Sequence, residues 1–209
     1  MISVIVPAYN EEKYLTRTLQ SVKKQGVKNE LIVVCNGCTD KSFDIAKKYA
    51  DKTFNLKERN VSKAKNFGAE NAKYKNLVFL DADTILRDGV LNAVESFLSK
   101  GKFFGTSKGK GTGFKNKIYF GFKNSVNKFR PWSNGFVFCN KKIFSEINGF
   151  DENLTRGELR DFFNRAKGKY KRVNAYVETS DRRIKNWGIL KAIFYWSFKK
   201  NKEEYETIR

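Results

Sequence analysis

Along the first hundred residues the apolar pattern changes period every few positions. Residues 3–8 (SVIVPA), 30–35 (ELIVVC) and 77–80 (LVFL) are short, nearly unbroken apolar runs of the kind buried on both faces of a sheet. Between them, residues 11–25 place Tyr14, Leu15, Leu19 and Val22 at helical spacing, and further helices are predicted at 41–49, 62–73 and 88–99, with a short strand at 53–56. Strand and helix alternating in this way predict an α/β fold: a single Rossmann-type, mostly parallel central sheet flanked by helices. Ligands in such sheets bind beyond the carboxyl ends of the strands. The loops after Val6, Val34 and Leu80 therefore share an address, and they read PAYNE, CNGCTD and DADT.

The second half is less regular. Residues 105–132 are glycine-rich and basic with interspersed Phe and Tyr, which predicts a flexible loop leading into a helix. A strand (135–140), a short helix (141–147), a turn then a helix (149–169) and a strand (172–178) follow. The final stretch is apolar for about 12 residues and ends in lysines, too short for a bilayer span of roughly 20. It reads either as a terminal helix packed on the sheet or as an interfacial helix with Trp and Phe inserted and lysines near anionic headgroups. With no repeat and no linker, residues 1–209 are expected to form one domain.

Composition adds two constraints. The 42 Lys and Arg against 22 Asp and Glu give a net charge of +20, so partners should be anionic: nucleic acid, a nucleotide-phosphate substrate or an acidic membrane surface. The chain has no histidine, which removes Ser-His and Cys-His catalysis and leaves Asp, Glu, Lys or Tyr as general base. Three cysteines and an opening that reads directly as a strand point to a reducing, cytoplasmic setting. Cys35 and Cys38 form a CxxC, but no second pair or histidine completes a zinc site.

Asp81 and Asp83, one residue apart at the end of a dry strand, suit a hard divalent cation that keeps positions open for phosphate oxygens. The same residues would also cap a turn. The segments SVIVPAYNEEKYLTRTLQSV, LIVVCNGCTDKSFDIA, RNVSKAKNFGAENA, LVFLDADT and NGFDEN, in this order and spacing, resemble the inverting family 2 glycosyltransferases of the GT-A fold over about residues 1–185. The resemblance implies a nucleotide-binding half (1–100), an acceptor-binding half (101–185) and a C-terminal amphipathic helix (186–209).

It implies further that Pro7, Ala8, Tyr9, Asn10 and Glu11 cradle the nucleotide, that Asn36 reads the base, and that Lys65 supplies positive charge beside it. Asp81, Ala82 and Asp83 would face the donor, with Mn2+ or Mg2+ on Asp81 and Asp83. Cys35 and Asn36 replace two acids usual in the family, which leaves the base open. Relatives carry Glu-Asp ahead of the late helix; here Glu158 precedes Leu159, and Asp161 follows on the same helical face. Glu158 is the first candidate for general base and Asp161 the second. Arg182 and Arg183, beside Trp187, would close over the diphosphate, since guanidinium forks suit its oxygens.

The expected activity is transfer of a sugar from a nucleotide-diphosphate sugar to an acceptor hydroxyl on a glycan or lipid-linked carrier, with peripheral contact at the inner face of the cell membrane. A binding-only relative without transfer activity, or a basic nucleic-acid-binding protein, are the rivals; no recognised nucleic-acid motif supports the latter.

Overall fold

A computed structural model describes residues 1–180 except 102, 112, 113, 129, 130, 132, 155 and 156, together with 182, 186 and 188. Arg183, Trp187 and residues 189–209, which carry most of the expected C-terminal helix, lie outside the described residues. In chain order the elements are β1 (Ile2–Ala8), α1 (Glu12–Lys23), β2 (Asn29–Asn36), α2 (Ser42–Tyr49), β3 (Lys52–Leu56), α3 (Val61–Glu70), β4 (Asn76–Leu80), β5 (Thr84–Leu86) and α4 (Val90–Leu98). They continue with β6 (Phe103–Lys110), α5 (Phe114–Val126), β7 (Phe136–Asn140), α6 (Lys141–Glu146), α7 (Glu158–Arg165) and β8 (Lys169–Thr179).

All eight strands join one sheet in the order β3-β2-β1-β4-β7-β6-β8-β5. β1, β2, β3 and β4 run parallel, as the alternating pattern predicts, and β7 then pairs antiparallel to β4 with Leu80 opposite Phe136. Successive side chains of a strand point to opposite faces, so each central strand feeds two cores. Val4, Val6, Val78 and Leu80 pack against Leu15 and Leu19 of α1 and Val90 and Val94 of α4. Ile5, Leu77 and Phe79 pack on the other face with Ala64 of α3 and the rings of Phe144, Phe150 and Phe162. Gly68 permits this approach of α3: a Cβ there would come within 2.4 Å of Ile5 Cγ2.

The expected flexible loop is corrected. Residues 103–110 form β6, paired with β7 and β8, and only the segment beyond them becomes the helix α5. The glycines there mark close approach rather than freedom. A Cβ on Gly105 would meet the Lys171 carbonyl oxygen, and one on Gly109 would come within 2.3 Å of the Phe120 ring. β5, too short to show a period, is a second departure; it pairs antiparallel with β8. Among the described residues no helix is long and apolar enough to cross a membrane.

Candidate active site

The three polar loops converge above the carboxyl ends of β1, β2 and β4. The first two are tied together by their own hydrogen bonds. Asn10, held at φ 52°, accepts from the Thr39 amide (2.7 Å) and donates to Thr39 Oγ1 (3.0 Å). The Glu11 amide donates to Ser42 Oγ (2.8 Å). Asp40 accepts from Ser42 N (2.9 Å) and Glu12 N (3.1 Å), so one carboxylate caps both α1 and α2. Burial works to raise the Asp40 carboxyl, but these bonds outweigh it and hold it below the ordinary range. The Cys38 thiol donates to the Ala8 carbonyl at 3.3 Å.

Tyr9 carries the Arg59 guanidinium 4.5 Å above its ring. Arg59 also lies beside Gly37, the residue after Asn36, which is itself only 4% exposed. Sequence reasoning missed Arg59, since a lone arginine before a helix carries no local signal.

The DADT loop is flanked by two ion pairs. On one side Lys65, fully buried in α3, reaches Glu158 Oε1 at 2.8 Å and Asp81 Oδ1 at 3.9 Å. On the other, Arg182 bonds both carboxylate oxygens of Glu11 (2.7 and 3.0 Å), lies 3.1 Å from Asp83 Oδ2 and sits over the Tyr14 ring. Burial opposes the charge on Arg182, yet Glu11 and Asp83 outweigh it and hold the guanidinium firmly protonated. Asp83 Oδ2 also accepts from Ser180 Oγ (2.6 Å), Ala82 O accepts from Thr18 (2.8 Å), and Asp81 N donates to Gly135 O (2.8 Å). Gly135 has φ 74°, and a Cβ on it would meet Thr84 Oγ1 at 2.5 Å. The sequence pattern places Gly135 at the start of a strand; its seat in a turn beside Asp81 follows from the pairing of β7 with β4.

Pro7 and Ala8 end the buried strand β1, below the loop. Asp161 is placed elsewhere in the hydrogen-bond pattern: its carboxylate accepts from Arg165 Nε (2.8 Å), and Arg165 in turn donates to the carbonyls of Gly149 (2.9 Å) and Ile147. Asn66 likewise clasps the Phe150 backbone (2.9 Å) and Glu152 (2.8 Å), and Asp151 folds a turn onto Asn153.

The donor set fits a hard cation in part. Asp81 and Asp83 are oxygen ligands, while among the described residues no group of three or more acidic, Cys or His side chains clusters to hold a metal. Two carboxylates suit Mg2+ or Mn2+ when a substrate diphosphate and water supply the rest of the shell. Such a cation would compete with the Arg182 guanidinium for the Asp83 carboxylate.

A curled sheet with nucleotide-type loops at its carboxyl ends and an Asp-Ala-Asp turn on its central strand is the GT-A architecture. The sequence profile of glycosyl transferase family 2 matches residues 3–194, and the chain belongs to that family. The minor teichoic acid biosynthesis protein GgaA of Bacillus subtilis is 26% identical over 203 residues, 85% of this chain and 46% of the relative. The poly(ribitol-phosphate) beta-N-acetylglucosaminyltransferase TarS of Staphylococcus aureus is 32% identical over 108 residues, 47% of this chain and 19% of the relative. The chain thus spans less than half the length of these curated relatives. A crystal structure of TarS residues 1–349 with UDP-GlcNAc superposes with a TM-score of 0.68 at 22% identity, covering 85% of this chain and 58% of that one. The mannosyltransferase PcManGT of Pyrobaculum calidifontis, solved with GDP-Man and Mn2+, gives 0.69 at 18% identity, covering 85% and 56%.

Proposed function

We propose that the chain is an inverting glycosyltransferase that moves a sugar from a nucleotide-diphosphate donor to an acceptor hydroxyl. One observation carries this reading: the Asp81–Asp83 loop lies between the buried Lys65–Glu158 pair and the Glu11–Arg182 pair. That arrangement sets a carboxylate on one side of the loop and a guanidinium fork on the other, which suits removal of the acceptor proton and stabilisation of the departing diphosphate in a direct displacement at an anomeric carbon. The nucleotide half is residues 1–100, with the base on the Tyr9–Arg59 stack beside Asn36. The acceptor half is 101–185.

A Mn2+ or Mg2+ ion on Asp81 and Asp83 would neutralise the departing diphosphate. Arg182, released from Asp83, turns its fork to the phosphate oxygens. Glu158 takes the acceptor proton and Lys65 positions it; Asp161, engaged by Arg165, braces α7 instead. The complexes of TarS with UDP-GlcNAc and of PcManGT with GDP-Man and Mn2+ support a nucleotide-sugar donor and a divalent cation. A glycan or lipid-linked carrier is the acceptor class, with the enzyme at the inner face of the membrane. One observation favours a binding-only relative: Glu158 is already neutralised by Lys65.

Release of nucleoside diphosphate from a panel of nucleotide sugars decides between them. Glu158→Gln should lose about 100-fold or more in turnover with donor binding retained, and Asp161→Asn should keep most of it. Equal activity of wild type and Glu158→Gln removes Glu158 as base, and no release from any donor leaves the binding-only reading.

A further inference from the structure

The helix α5 buries polar side chains among its rings and leaves two large apolar side chains in solvent. Its sheet-facing side, with Asn127 just past its end, buries Asn116 and Lys123 beside Tyr119 and Phe120, with the Lys123 ammonium 5.7 and 5.9 Å from those two rings. Its opposite side exposes Ile118 (53%) and Phe122 (54%), two of the four large apolar residues most open to solvent among the described residues. Like an ordinary surface helix it buries Tyr119 and Phe120, but it also turns a pair of large apolar side chains to solvent at i, i+4, which together form one apolar spot on the surface.

The orientation is locked. Asn124 donates to and accepts from the backbone of Gly109 (2.8 and 2.9 Å), the Phe120 ring fills the space over that glycine, and Tyr170 Oη donates to Asn127 (2.7 Å to its side chain). Rotating Ile118 and Phe122 inward would break all three.

Charge names the partner. At 3.6 residues per turn, exposed Lys117 and the exposed Lys128 just past the helix line one edge of the solvent sector. Ile118 and Phe122 line the other, and Gly121 and Ser125 fall between them. At Gly121 an added Cβ would meet nothing within 4 Å, so the backbone itself is open to a flat surface. Residues 96–145 contain no Asp or Glu, while Lys and Arg recur throughout. A helix with bulky apolar groups on one side, lysines on the other and no acid within the stretch 96–145 that carries it complements an anionic lipid bilayer, in which Ile118 and Phe122 enter the acyl boundary and the ammonium groups meet headgroup phosphates. A soluble polyanion would use the lysines and leave Ile118 and Phe122 without a role.

We propose that the outer face of α5 docks the protein on anionic membrane, holding the acceptor half against the lipid surface. The proposal does not depend on the transferase reading, because it is tested without donor or acceptor. The full chain is sedimented with vesicles of equal parts phosphatidylglycerol and phosphatidylcholine, and with phosphatidylcholine alone. Wild type should bind the anionic vesicles with an affinity that falls as salt rises, and bind the neutral ones weakly. Ile118→Ser/Phe122→Ser and Lys117→Glu/Lys128→Glu should each weaken anionic-vesicle binding about tenfold or more, with thermal stability unchanged because all four positions are exposed. Three results would overturn it. Wild type stays in the supernatant with both vesicle types, the Ser variant binds anionic vesicles as tightly as wild type, or soluble polyphosphate binds equally to wild type and the Ser variant while vesicles do not.

Discussion

Removing one member of the Lys65–Glu158 pair should be more damaging than removing both. At 2.8 Å, with an effective dielectric constant of about 20, the Coulomb attraction is about 6 kcal/mol, and desolvating each ion costs several kcal/mol, so the intact pair is close to neutral in stability. A single deletion instead strands a buried charge, at about 3–5 kcal/mol. The stranding is asymmetric. The Lys65 side chain is 1% exposed and the Glu158 side chain 14%, and the second partner of Lys65, Asp81, is 3.9 Å away and 41% exposed. Glu158→Leu should therefore cost more than Lys65→Met, and the double variant less than either. For a chain of this size the single variants should lower Tm by roughly 6–20 °C. Urea unfolding of the four proteins, analysed as a double-mutant cycle, measures this. Single variants within about 1 kcal/mol of wild type, with additive effects, would refute a functionally poised buried pair.

Three further outcomes follow from particular contacts. Arg182→Ala should tighten Mn2+ binding to the nucleotide-free protein, by clearing Asp83 Oδ2, while weakening nucleoside diphosphate binding about 10-fold or more; calorimetry reads both, and loss of both affinities would contradict the exchange. Glu30, Asp40 and Asp51 are each held below their ordinary values by hydrogen bonds that outweigh burial. Their contribution is present above the unfolded-state values near pH 4 and lost as pH falls through the lower folded-state ones, so the urea midpoint should be flat from about pH 7 to 5 and drop below about 4, less steeply in Asp40→Asn. The Cys35 thiol donates to Cys38 and lowers its pKa to about 7 against the opposing effect of burial, whereas Cys35 and Cys139 are pushed up and buried. Alkylation followed by mass spectrometry should show one reactive thiol, Cys38, with a midpoint near pH 7.

The parallel half of the sheet was legible because its strands are apolar on both faces and its helices carry a clean period. β6 was not, because Gly105 and Gly109 read as loop residues while serving close contacts with Lys171 and Phe120 that only tertiary pairing creates. The loops around Asp81 and Asp83 were visible as polar breaks at strand ends. The partners of those acids were not legible: the resemblance offered Lys65 and Arg182 only as charges beside the nucleotide and its diphosphate, and Ser180 and Gly135 reach the loop through β8 and β7. Glu158 and Asp161 share a helical face in sequence, but one faces Lys65 and the other is drawn to Arg165 four residues on. No period distinguishes them.

The central claim is tested most directly by thermal shift with UDP, GDP, dTDP and CDP, each with and without Mn2+, on wild type and Asp83→Asn. A nucleotide at about 100 times its Kd should raise the wild-type Tm by roughly 5–10 °C only when Mn2+ is present, and should leave Asp83→Asn unshifted. Equal shifts in the two proteins, or no shift with any nucleotide and a clear one with single-stranded nucleic acid, would contradict a nucleotide-sugar site at the Asp81–Asp83 loop.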